Sequence, residues 1–229
     1  MMYLGILLAF VLSIVDYITE HLVPKKVMAN QRMISFAAGV AVAYILLHLF
    51  PQIAGLSIVR GDVLFLLVLA GFTVTHVLGR YMHISHHKSP HMKAHSGVHL
   101  AYFFLYNFLI GILLTRIGSQ GLSQGLLFFV PFMLYIAVET LPKEFHLKST
   151  MAKILYAAAP LWGAIASTFF PQIPTFTALH FPELISIVTG TLLYIVIRQS
   201  VPSNRESKPL YFVIGAALYS LVILWSPLF

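Results

Sequence analysis

Long apolar runs decide what this chain can become. Eight stretches are nearly free of charge: Met2–His21, Met33–Ile53, Val63–His83, Val98–Ile117, Gln124–Phe145, Lys153–Phe170, Leu184–Ser200 and Leu210–Pro227. Each has roughly the 17–22 residues that a helix needs to cross a hydrocarbon core about 30 Å thick. Backbone polar groups in hydrocarbon must be satisfied within the segment or by a closed barrel. Barrel strands alternate apolar with polar residues, and these runs do not. Only 9% of the 229 residues are charged and 59% are hydrophobic, with a mean hydropathy of +0.88; soluble domains carry roughly 25% charge. The expected fold class is an all-α integral membrane protein, one transmembrane domain over residues 1–229 with no soluble domain. The first run lacks a basic leader and a small-x-small cleavage site, so it counts as a helix. With no cysteine, disulfides and thiolate metal sites are excluded.

The basic residues predict the threading. Lys25, Lys26 and Arg32 follow the first span, Arg80, Lys88 and Lys93 the third, Lys148 and Lys153 the fifth, and Arg198, Arg205 and Lys208 the seventh. Only Arg60 and Arg116 fall in the alternate loops. Basic loops stay in the cytoplasm, so the odd-numbered spans end there and both termini lie outside a cell membrane crossed many times. The net charge of +7 is spread through these loops, which points to topology rather than to nucleic acid.

Charge inside the fifth span is the exception. Glu139, Thr140, Pro142, Lys143 and Glu144 sit late in an otherwise apolar run. A charge in hydrocarbon costs about 2.5–3.5 kcal/mol on insertion scales, so such groups are paired or functional. Glu139 and Lys143 are four apart, acid first, the favourable order on a helical face, and Pro142 loosens the helix between them. A self-neutralising pair near the headgroups and the lining of an ion path both remain open.

An internal repeat is also legible. Gly39, Tyr44 and Pro51 of the second span match Gly190, Tyr194 and Pro202 of the seventh, with equal Gly-to-Pro spacing, and Gly71 and Gly215 lie mid-span in the third and eighth. The second and seventh spans run in opposite directions, so two three-helix units of opposite orientation would flank the fourth and fifth. Inverted repeats of this kind are a recurrent transporter plan.

Four segments carry a family resemblance: Phe36–Val40 through His48–Pro51, Tyr106–Gly111, the Glu139–Glu144 stretch, and Gly190–Tyr194 through Pro202. With eight spans and a His-rich loop after the third, the chain resembles the ZIP (Zrt/Irt-like) family of divalent-metal transporters over nearly its whole length. The resemblance implies a 3+2+3 inverted-repeat bundle in which the fourth and fifth helices hold a binuclear metal site and move relative to the others. It implies a transport path along Tyr106, Asn107, Glu139, Thr140, Pro142, Lys143 and Glu144, with His48 either receiving an ion near the outer end or serving as a hydrogen-bonded core histidine. It implies transport of zinc or a related transition metal.

The ligand positions depart from the family pattern. Tyr106 stands where that pattern has His, Leu109 where it has Pro, and Ile110 where it has an acid; Asn107 is kept. Glu139 holds the first ligand position of the fifth helix, Thr140 replaces the second, and Lys143 stands where a ligating Glu or His is expected. An ammonium cannot ligate while protonated. Lys143 can compensate Glu139 as a built-in cation, or can be neutral if burial depresses its pKa. A family-typical binuclear site is therefore not expected. Any metal would be held by Glu139, Asn107 and Glu144, an oxygen-rich set less selective for zinc than a His-rich one. A ZIP-fold protein that no longer transports, with a regulatory or assembly role, is the alternative.

His83, His86, His87, His91, His95 and His99 form the cytoplasmic His-rich loop. Six imidazoles within seventeen residues can chelate transition metals without a defined fold; a partly protonated linker against anionic lipid fits equally well. His83-x-x-His86-His87 also has the form of a membrane di-iron His box, but only His21 and His146 add to it on that side, too few for such an enzyme. Asp16 and Glu20 lie a turn apart near basic residues, His76 reads as packing, and Tyr135 as core. No enzymatic activity and no cofactor are expected; the expected partners are the lipid bilayer, a divalent metal ion and, as an open option, a second copy of the chain.

If Lys143 neutralises Glu139, Lys143→Ala leaves an uncompensated carboxylate and lowers the melting temperature in detergent, while Lys143→Glu gains metal affinity. Two variants as stable as the parent, with no metal bound, would contradict the pairing.

Overall fold

The computed structural model describes residues 2–21, 30–85, 92–138, 150–170, 180–200 and 208–226, and every regular element among them is helical. In chain order these are α1 (Met2–His21), α2 (Gln31–Arg60), α3 (Val63–Ser85), α4 (Met92–Gly118) and α5 (Leu122–Val138). Then come α6 in two segments (Thr150–Ala157 and Ala159–Phe169), α7 (Phe181–Ser200) and α8 (Pro209–Trp225). Four stretches combine the length and hydropathy for crossing a membrane: Gln31–Arg60, Val63–Arg80, Leu100–Gly118 and Phe181–Arg198. Tyr3–Thr19, Leu122–Ala137 and Pro209–Trp225 are apolar but shorter. Of the eight expected spans, four thus meet both criteria among the described residues.

Several helices differ from expectation in their bounds, and in three of them the difference is instructive. α2 starts earlier and ends later than Met33–Ile53. Asn30 caps it, its side chain accepting from the Arg32 N–H at 3.0 Å, and Gly61 at φ 78 ends it. Pro51 does not break this helix, because Ile45–Leu49 form a π turn in which the Phe50 N–H reaches the Ile45 carbonyl. The wider turn absorbs the proline's missing donor. α4 begins at Met92 rather than Val98. α6 is split at Ala158 (φ −80, ψ 7), with Pro160 in the first turn of its second segment. A helix start leaves N–H groups without intrahelical acceptors; here the Leu161 N–H reaches Ser13 Oγ of α1 at 3.3 Å.

The most extensive packing is between α2 and α8 and between α3 and α7. Both pairs cross on glycine. A Cβ on Gly39 would meet the Phe212 carbonyl oxygen, and one on Gly215 the Phe36 carbonyl oxygen. In the second pair, a Cβ on Gly190 would meet the Val68 oxygen and one on Gly71 the Ile187 oxygen. α4 and the second segment of α6 repeat the device, Gly111 on Pro160 and Gly163 on Phe108. Lipid tails are as apolar as leucine, so helices in a bilayer gain by close packing, which small residues permit.

Contacts at the helix ends fix directions. The Lys208 N–H reaches Ser35 Oγ at 3.4 Å and the Arg32 guanidinium lies 5.6 Å from the Tyr211 ring centroid, so α2 and α8 start side by side and run parallel. Arg60 pairs with Glu183 at 3.5 Å, joining the end of α2 to the start of α7, so these two are antiparallel. Gly71 lies against Ile187 and Gly79 against Tyr194 and Arg198, which makes α3 and α7 parallel.

α5 contains a proline that is met from outside. Pro131 has no N–H, so the Leu127 carbonyl loses its usual helical donor. The Tyr219 hydroxyl of α8 donates to that carbonyl at 2.6 Å. Left without a partner, a buried carbonyl costs about 1–3 kcal/mol.

Gly190→Ala and Gly39→Ala should each cost about 1–3 kcal/mol, as overpacked interiors do, and lower the melting temperature in detergent. Gly55→Ala, where nothing lies within 4 Å, should leave it unchanged. Equal effects at all three positions would contradict backbone-to-backbone crossing.

Candidate functional site

α4 and α5 meet through the rings of Tyr106 and Tyr135 and where Gly125 lies close to Gly118. Tyr106 and Asn107 of α4 are 3% and 4% exposed. The Tyr106 ring meets Tyr135 of α5 edge-to-face at 6.2 Å between centroids. Tyr135 is itself buried. Asn107 Oδ1 is shielded from solvent and has no hydrogen-bond partner among the described residues. A bare amide oxygen is costly to bury, and it is a competent ligand for a hard or borderline cation.

Next to Asn107, Ile110 is fully buried in the apolar core and Gly111 forms the crossing with Pro160. Ile110 therefore serves packing and cannot supply the acid of the pattern that the segment resembles. Glu139, Thr140, Pro142, Lys143 and Glu144 lie outside the described residues, so of the expected metal set Glu139, Asn107 and Glu144, only Asn107 has a described position. Among the described residues no three His, Asp or Glu side chains converge as a metal site.

His48 occupies the π turn of α2. It is half-buried, stacks on Tyr44 at 5.3 Å, and has the side chain of Gln124, at the start of α5, as a polar neighbour. Tyr44 then meets Phe128 of α5 at 6.3 Å and Tyr219 of α8 at 6.1 Å, and Phe128 stacks on Phe132 at 4.3 Å. One stripe of α5 thus runs Gln124, Phe128, Phe132, Tyr135, with steps of four, four and three residues. It leads from His48 to Tyr106 and Asn107, polar at both ends and aromatic between.

Gln124 and Tyr135 were not expected to belong to the site. The signal was their spacing, which reaches Glu139 one further turn on. Tyr102, one turn before Tyr106, forms a second unforeseen feature. Its hydroxyl lies 2.6 Å from Thr75 Oγ1 of α3, and Thr75 donates to Thr191 of α7 at 3.3 Å. This hydroxyl cluster attaches α4 to the α3–α7 pair.

The remaining candidates are dispersed. His76 is exposed and packs edge-on against Tyr194 at 5.4 Å. Asp16 is half-buried on α1, while the Glu20 side chain lies outside the description. His83, His95 and His99 fall on the helical backbones of α3 and α4 without described side chains; His86, His87 and His91 lie outside the described residues. The early start of α4 puts His95 and His99 one helical turn apart. No family model, no curated protein and no solved structure matches this chain.

Proposed function

We propose that the chain is a ZIP-like membrane transporter of divalent metal ions, zinc or a related transition metal, with its path between α4 and α5. In this reading α1–α3 and α6–α8 are inverted units flanking the central pair in a 3+2+3 bundle. Both termini lie outside the cell membrane. The observation that carries the reading is the pair of matched crossings. Exchanging α2 with α7 and α3 with α8 turns the Gly39–Gly215 crossing into the Gly190–Gly71 crossing, and α2 and α7 are antiparallel. Transporters built on inverted repeats bind their cargo near the repeat interface. The buried Asn107 oxygen of α4, without a hydrogen-bond partner among the described residues, supports the reading.

The ion is cargo rather than a resident cofactor. The described residues suit a path better than a tight site: neutral phenols and an amide can replace water around a cation without holding it as thiolates or several imidazoles would. Ile110 in the apolar core favours the second reading, a protein of this fold that does not transport and serves a regulatory or assembly role.

Proteoliposomes loaded with an ion indicator and challenged with zinc, manganese, iron and cobalt separate the two. Uptake of at least one ion above empty vesicles is expected. Asn107→Leu should abolish it while leaving the melting temperature unchanged or raised, since an apolar side chain removes a buried polar group without a described partner. No uptake of any ion by correctly oriented protein would overturn the transport reading.

A further inference from the structure

We propose that Tyr219 is a positioning residue for the α4–α5 path, acting through a hinge in α5 at Pro131. The proposal rests on the reading that the path lies between those helices. Pro131 removes one rung from the α5 ladder, and its ring crowds the carbonyl one turn earlier. Proline is a common cause of sharp helix bends. The carbonyl it frees, that of Leu127, is taken by the Tyr219 hydroxyl from a different helix. The bond that would have straightened α5 is thus replaced by one that ties α5 to α8.

The tie joins a helix packed backbone to backbone with one interrupted by proline. α8 is pinned to α2 by the Gly39–Gly215 crossing, where the backbones touch. Tyr219 lies one turn after Gly215 and is buried, so its position follows that crossing. On the α5 side, Phe128 and Phe132 stack across Pro131 and Tyr44 braces Phe128. Beyond the proline, Tyr135 meets Tyr106 beside Asn107. A change of bend at Pro131 therefore alters the gap between Tyr135 and Tyr106. α4 has a counterpart tie one turn after the other crossing glycine on its side: Thr75 follows Gly71 by four residues and meets Tyr102.

Because the chain has no cysteine, spin labels can be attached at chosen pairs and their distances read by pulsed electron resonance in nanodiscs. Leu126 and Leu221, both exposed, report on α5 against α8. Leu105 and Leu134 report on the α4–α5 gap near Tyr106 and Tyr135. Tyr219→Phe keeps the ring and removes the donor. The expected result is loss of the single narrow distance at both pairs, with a longer population appearing.

Pro131→Ala restores an N–H that can bond to the Leu127 carbonyl. In that background Tyr219→Phe should change neither distance. A merely structural tyrosine would show the same broadening with or without the proline, and that outcome overturns the proposal. So does an unchanged distribution in Tyr219→Phe, or a change confined to the Leu126–Leu221 pair. Neither distance depends on ion flux. Inert vesicles would therefore count against the transporter, whereas a flat cycle in transporting protein would count against the hinge.

Discussion

Backbone laid directly on backbone, where glycine leaves no side chain between two helices, is the constraint on which the rest of this structure depends. In a bilayer no water is released when apolar helices meet, so close contact and the polar bonds it permits must hold them. Gly39 with Gly215, and Gly190 with Gly71, give α2–α8 and α3–α7 that contact. Side-chain bonds then gather around each crossing: Tyr219 to Leu127 near the first, the Thr75–Thr191–Tyr102 cluster near the second. Polar bonds between membrane helices are worth modest energies, roughly 0.6–2 kcal/mol each. They act here mainly to set register and angle.

The two central helices are held in different ways from each other. α4 shares glycine crossings with α6 and with α1, while α5 carries a proline, packs on α1, α2 and α4, meets α2 through aromatic rings and takes a hydroxyl bond from α8. Toward the α2–α8 and α3–α7 pairs, the central helices add aromatic rings and isolated hydroxyl bonds to their packing.

Much of the fold was legible in the sequence because membrane helices obey simple rules. Length and hydropathy marked the apolar runs; the matched glycines were read as a repeat, and that they form the α2–α8 and α3–α7 crossings is seen only in the structure. Local breaks were less visible. Ala157–Ala158–Ala159 ahead of Pro160 reads as strongly helical, since alanine has the highest intrinsic propensity, yet α6 breaks there, with Ser13 of α1 meeting the following turn. The π turn before Pro51 depends on how a ladder relaxes around a proline, which no residue pattern announces. In the site, Tyr106 and Asn107 are both buried on α4. Tyr135 was read as core because an aromatic in an apolar run usually is. Pro131 drew no notice beside Pro142, since its effect appears only where Tyr219 arrives from α8. The chemistry expected of Glu139 through Glu144 lies outside the described residues.

The threading implied by the crossings can be tested most directly by side-specific labelling. Single cysteines replace Asn30, Asp62, His180 and Lys208, all exposed at helix ends, and a membrane-impermeant maleimide is added to sealed right-side-out vesicles. Positions 62 and 180 should be modified from outside, and positions 30 and 208 only after the vesicles are opened. Modification of all four from the same side would contradict the antiparallel arrangement of α2 and α7.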